Sequence, residues 1–135
     1  MKIYTYSERE TKLFGKIIGS FVQRESIKVV ALYGEMGVGK TILTKGIASS
    51  FGIDEKDVMS SSFVIVSSYE ERNFYHIDLY RLDSINEEEL DLWDYFEQGT
   101  CVVEWADRLK HLPANSIKIK IQLIDNNTRV FEMEF

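Results

Sequence analysis

The sequence predicts an α/β fold: a mixed parallel and antiparallel sheet, flanked by helices and ending in a C-terminal β-hairpin, that presents a phosphate-binding loop. Three observations predict it. The stretch Gly34-Glu35-Met36-Gly37-Val38-Gly39-Lys40-Thr41 satisfies the pattern G-x-x-x-x-G-K-[ST] at every fixed position. The run before it, Ile27-Lys28-Val29-Val30-Ala31-Leu32-Tyr33, is short, almost wholly apolar and rich in β-branched residues, as befits a strand buried on both faces. Behind the loop, residues 42–51 set Leu43 and Ile47 four apart with Ala48 beside them and run into Gly52, the pattern of a helix with a glycine stop. Strand, glycine loop and helix in that order make the fold P-loop NTPase-like. The 135 residues are expected to form one such domain around one core.

The remaining elements follow in order. Residues 3–6 read as a short first strand. Ser7-Glu8-Arg9-Glu10 is a capping box, so a helix is expected over residues 8–23, with Leu13, Ile17, Ile18 and Phe21 on its inner face. Residues 63–69 alternate and are β-branched, which predicts a strand. Glu70-Glu71-Arg72-Asn73 reads as a turn, and residues 74–80 as a second strand, antiparallel to the first because the connection is short. Residues 87–96 read as a helix whose Glu87-Glu88-Glu89 start is a solvated first turn favoured by the helix dipole rather than a metal site. Thr100 to Trp105 is a buried strand ending in a carboxylate, and a short helix over residues 107–110 stops ahead of Pro113. Residues 117–123 alternate cleanly, Asn126-Asn127 turns the chain, and residues 129–135 pair back as the hairpin strand.

The loop implies its own chemistry. Phosphate oxygens need several backbone N–H groups converging on one concavity, and glycine lets the chain wrap that closely. Lys40 adds a point charge for the β- and γ-phosphates, and the Thr41 hydroxyl is a hard oxygen ligand for Mg²⁺. Such a site also needs an acid at the C-terminal end of a neighbouring apolar strand. Glu104, after Val102-Val103, fits; it either reaches the metal through water or orients the attacking water. Asp78, closing the run from Phe74, is the second candidate, with a turn cap as its alternative. Arg81 and Arg108 either touch phosphate or pair with nearby acids. His76 reads as a half-buried strand residue and His111 as a surface residue, neither with assigned chemistry. Trp105 either packs in the core or covers the nucleotide.

Composition bounds the rest. An apolar fraction of 44% and a charged fraction of 28% are those of a globular protein. No signal peptide and no span of transmembrane length is read, so a cytoplasmic location without membrane attachment is expected. The lone Cys101 sits in an apolar segment and reads as buried and inert. A net charge of −6 speaks against independent binding to nucleic acid.

The motifs together resemble the TsaE (YjeE) family. Ser7-x-x-Glu10-Thr11-x-x-x-Gly15 opens the likeness, and the loop is close to the family's G-[DE]-L-G-[AS]-G-K-T. His76-Ile77-Asp78-Leu79-Tyr80-Arg81-Leu82 matches H-x-D-L-Y-R-L, and Val103-Glu104-Trp105-Ala106-Asp107-Arg108 matches V-E-W-x-[DE]-R. Ser60-Ser61-Ser62-Phe63 stands where the family has S-P-T-F: Ser62 keeps a hydroxyl, and Ser61 in place of proline leaves that loop less restrained. The resemblance implies a Mg²⁺-dependent ATPase with ATP on Gly34, Glu35, Met36, Gly37, Val38, Gly39, Lys40, Thr41 and Ile42. It implies Thr41, Asp78 and Glu104 at the metal, with Asp78, Glu104 and Lys40 acting in catalysis. It places Trp105 beside the nucleotide and Thr11 near the base or sugar. The family's ATPase works with TsaD and TsaB, which form N6-threonylcarbamoyladenosine at position 37 of tRNA, and its hydrolysis resets that complex; tRNA would be reached only through these partners. Hydrolysis by the subunit alone is expected to be slow, since no arginine finger is identifiable. The alternatives are a small-molecule kinase, which would need a lid, a GTP switch, whose N-K-x-D signature is absent, and a nucleotide-gated binding module without useful hydrolysis.

Overall fold

The computed structural model describes residues 1–35, 37–58, 65–80 and 91–135. Its strands are β1 (Lys2–Thr5), β2 (Val29–Tyr33), β3 (Val66–Tyr69), β4 (Phe74–Asp78), β5 (Thr100–Glu104), β6 (Ser116–Leu123) and β7 (Arg129–Glu134). The helices among the described residues are α1 (Glu8–Arg24), α2 (Lys40–Ser50) and α3 (Leu92–Gln98). The seven strands among the described residues join one sheet in the order β1-β7-β6-β2-β5-β4-β3. The inner four, β6, β2, β5 and β4, run parallel; β3 pairs antiparallel with β4 at one side, and β7 with β6 and then β1 with β7 at the other. The loop strand β2 is therefore the middle strand, buried along Val29–Leu32, as its unbroken apolar run requires.

The period of two along each strand sorts side chains into two layers. Val30 and Leu32 of β2, Phe74 of β4 and Val102 of β5 face one layer, where they meet Leu43 and Ile47 of α2. Val29, Ala31, Tyr75, Ile77, Cys101 and Val103 face the other, with Leu92 and Phe96 of α3. The same parity sends His76 and Asp78 of β4 and Glu104 of β5 toward the α2 layer. Along β6, Ile117, Ile119 and Ile121 point inward while Lys118 and Lys120 are exposed, as the alternation predicts.

Helix α1 starts at its predicted capping box. The amide of Glu10 donates to Ser7 Oγ at 3.1 Å, and Glu10 Oε1 accepts from the Tyr6 amide at 2.9 Å. Its buried face corrects the expectation. Leu13 and Ile17 are 59% and 60% exposed, and the inward residues are Thr11, Gly15, Ile18, Gly19 and Val22. The cause is backbone-to-backbone approach of α1 and α2. A Cβ on Gly46 would stand 2.2 Å from Lys12 O, and one on Gly15 would stand 2.5 Å from Leu43 O. Small residues, not the largest ones, define that interface. Leu13 and Ile17 instead border an apolar groove with Met1, Phe14, Met133 and Phe135.

Other boundaries shift by a few residues. Helix α2 begins at Lys40 rather than 42, with Gly39 (φ 110°) before it, and the chain leaves its end through Gly52 at φ 81°. The strand expected from Phe74 to Tyr80 ends at Asp78, and the one expected to reach Trp105 ends at Glu104. The short helix expected over 107–110 is a 3₁₀ turn over Ala106–Arg108. Phe63, Val64 and the helix start at Glu87-Glu88-Glu89 lie outside the described residues, as do Ser60, Ser61, Ser62 and Arg81.

Candidate nucleotide-binding site

The C-terminal ends of β2, β5 and β4 converge at the loop, the edge at which open α/β sheets bind ligands. Leaving β2, the chain passes through Gly34 at φ 154° and Gly39 at φ 110°, left-handed backbone that a side chain would strain. The Leu43 amide donates to Gly39 O at 3.0 Å. The amides of Thr41 and Ile42 precede it and, among the described residues, have no main-chain acceptor, as is usual for the donors of a helix N-terminus. No acidic side chain occupies that first turn, which leaves its positive dipole to a ligand. Thr41 and Ile42 are half-buried there, Val38 is buried, Glu35 and Gly37 are exposed, and Met36 lies outside the described residues.

Lys40 is 5% exposed. Its Nζ donates to Gly34 O at 2.6 Å, tying one end of the loop to the other. The same Nζ lies 3.5 Å from the centroid of the Trp105 ring, a cation–π contact. Burial holds the ammonium below its usual pKa, while Glu104, Asp78 and Asp107 push it back up. Among the described residues Lys40 forms no ion pair, so its charge is neutralised at a distance and remains available to an anion.

Trp105 reaches Lys40 because the chain turns sharply after β5, with Trp105 itself at φ 58°. Its ring also meets Tyr80, centroids 5.1 Å apart, and the Arg108 guanidinium carbon lies 5.6 Å from its centroid. Arg108 is thus stacked on an aromatic ring, with its Nε buried and unpartnered among the described residues.

Asp78 and Glu104 are register partners on adjacent strands, 5% and 2% exposed. Asp78 Oδ1 accepts from the Tyr80 amide at 2.8 Å, so the turn-capping role is real. Its Oδ2 is buried and has no partner among the described residues. Burial pushes this carboxyl up to about 6; the Tyr80 bond opposes the shift, Glu104 adds to it, and His76 and Lys40 counter it. Glu104 Oε2 meets His76 Nε2 at 2.5 Å and lies 3.5 Å from Thr44 Oγ1. His76 is 3% exposed, so the half-buried strand residue without assigned chemistry is a buried partner of the strand-end carboxylate. Its even spacing from Asp78 was the available signal, since it places both on one face of β4.

Thr11, by contrast, lies inside the joint of β1 and α1. Its hydroxyl is 2.7 Å from Thr5 Oγ1 and donates to Ser7 O at 3.1 Å. It is fully buried, and its described contacts are with these residues rather than the loop. His111 is exposed, as expected.

The donor set suits Mg²⁺: a hydroxyl on Thr41, an orphaned carboxylate oxygen on Asp78 and the carboxylate of Glu104, all hard oxygens. Among the described residues no cluster of three or more His, Cys, Asp or Glu holds a metal unaided.

The family model described as threonylcarbamoyl adenosine biosynthesis protein TsaE matches residues 5–131. The chain is 35% identical over 133 residues to the tRNA threonylcarbamoyladenosine biosynthesis protein TsaE of Bacillus subtilis, covering 96% of this chain and 82% of that one. It is 34% identical over 128 residues to the protein of the same name from Rickettsia bellii, with 92% and 88% covered. It is 31% identical over 137 residues to that of Treponema pallidum, with 96% of both covered. The crystal structure of Bacillus subtilis YdiB superposes with a TM-score of 0.73 at 31% identity, over 97% of this chain and 82% of that one. A glycine-rich loop after the middle strand, two carboxylates on neighbouring strand ends and likeness along nearly the whole length lead to one assignment: the chain belongs to the TsaE family.

Proposed function

We propose that this protein is the Mg²⁺-dependent ATP-binding and ATP-hydrolysing subunit of the system that forms threonylcarbamoyladenosine at position 37 of tRNA. The names of its relatives support the pathway. The observation that carries the ATPase reading is the setting of Lys40, a buried ammonium without an ion pair among the described residues, at a helix N-terminus and facing the layer that holds Asp78 and Glu104. In this reading it works in the cytoplasm with partners of the TsaD and TsaB type, and hydrolysis resets their complex between turnovers. No helix among the described residues is long and apolar enough to cross a membrane.

Each residue then has a task. The amides from Gly37 to Ile42 receive the phosphate oxygens, and Lys40 exchanges its bond to Gly34 O for one to phosphate. Trp105 holds the Lys40 ammonium from one side and shields it from water. Thr41, Asp78 and Glu104 would hold Mg²⁺, which when bound neutralises charge on the phosphates. Glu104, oriented by His76, aligns the attacking water or accepts its proton. In this reading turnover by the subunit alone is slow and the partners accelerate it.

The test is ATP binding and turnover with and without the partner pair. Lys40→Ala abolishes nucleotide binding. Glu104→Ala retains binding and loses turnover by about 10² or more. Hydrolysis by Glu104→Ala at the wild-type rate would overturn the role given to that carboxylate, and failure of the wild type to bind ATP would overturn the function.

A further inference from the structure

Arg129, the first residue of β7, is the one buried arginine among the described residues, 6% exposed. It lies against the phosphate loop. Its Nε donates to Val38 O at 3.0 Å, across 91 positions of sequence. A Cβ on Gly39 would stand 2.6 Å from that Nε and 3.0 Å from Cδ, so the guanidinium presses on main chain where only glycine leaves room. Among the described residues its buried Nη1 has no hydrogen-bond partner and Arg129 forms no ion pair.

Arginine does not shed its proton to escape such a setting. A buried cation without a counter-ion is unfavourable, and the same low dielectric makes it a strong attractor for an anion that comes to rest nearby. The nearest site built for an anion is the loop it supports. Lys40 serves that loop from the helix side and Arg129 from the β7 side. The bond to Val38 O also fixes the peptide joining Val38 to Gly39, and with it the direction in which the next amides point.

We propose that Arg129 is a positioning residue of the phosphate loop and takes the polyphosphate of a bound nucleoside di- or triphosphate as its counter-ion. This rests on the nucleotide-binding reading above. The order of strands decides which step it serves. Asp78 and Glu104 stand on β4 and β5, on one side of β2, while Arg129 stands on β7, on the other. On the side away from those carboxylates, it is assigned to the phosphates shared by ADP and ATP, and its effect is read in affinity for both.

The experiment measures dissociation constants for ADP and ATP in Mg²⁺ and the melting temperature of nucleotide-free protein, for wild type, Arg129→Met and Arg129→Lys. Arg129→Met weakens ADP and ATP alike, on the order of ten- to a hundred-fold, the span of a charge-assisted hydrogen bond. The melting temperature of the empty protein is not lowered, because an apolar chain replaces an uncompensated charge. Arg129→Lys recovers part of the affinity. Wild-type affinity in Arg129→Met, or loss of ATP affinity alone, overturns the proposal and leaves the nucleotide reading standing. So does a fall in both affinity and empty-protein stability that Arg129→Lys does nothing to repair, which marks a packing role only. A wild type that binds neither nucleotide overturns both.

Discussion

Asp78 shows how a single carboxyl is set by its surroundings. Burial raises it from 3.8 to about 6, so the folded protein binds this proton more tightly than the unfolded chain. The stabilising contribution of the protonated form is complete below the unfolded value and is lost as pH rises through about 6. In nucleotide-free protein without Mg²⁺, Asp78→Asn keeps an oxygen for the Tyr80 amide and never ionises. It should melt higher than wild type above pH ~7, by about 1 kcal/mol once solvent screening is allowed for, and show no advantage below pH ~4. Thermal denaturation across that range checks the sign; an advantage that grows toward acid would refute it. Asp78, Glu104, Lys40 and Thr41 were all legible as candidates from motif and strand-end position. His76 and Arg129 were not, because each acts through a contact with a distant part of the chain: Glu104 is 28 residues away and Val38 is 91.

At the scale of elements, the pairing of α1 with α2 departs most from what periodicity suggests. Hydrophobic spacing favours the large side chains Leu13 and Ile17, yet the face that meets α2 is built around Gly15 and Gly19, with Ile18 and Val22 buried beside them. A helix can lie backbone against backbone only where the Cβ atoms are missing, and a composition scale does not reward glycine for that. Gly46→Ala should therefore destabilise the protein by about 1–3 kcal/mol through overpacking against Lys12 O. Leu13→Ser, on the exposed side of the same helix, should change stability by no more than ~0.5 kcal/mol. Urea denaturation midpoints distinguish the two; equal effects would mean the helices meet by another face. The strands were more legible, because alternation in β6 and the unbroken run in β2 report directly how many faces each strand buries.

Across the whole molecule, Cys101 reports on global opening. It lies on β5 in the layer under α3, and burial pushes its thiol up to about 12, with Lys28 pulling slightly the other way. The native protein should resist alkylation near neutral pH and react fully once denatured, with a rate that follows the open population. Rapid labelling of folded protein would show that this layer opens locally. Taken alone, the sequence determined the loop, its flanking strand and helix, the capped first helix, the terminal hairpin and the acids at two strand ends. Those features are local: a turn needs its glycines, a helix its cap and a buried strand its apolar run, whatever else the chain does. The tertiary structure decided the order of the strands, which places β2 at the centre with Asp78 and Glu104 on one side and Arg129 on the other. It also decided that Lys40 rests on Trp105 and that His76 meets Glu104. These relations depend on which distant segments become neighbours, and that is set by how the whole sheet buries both of its faces.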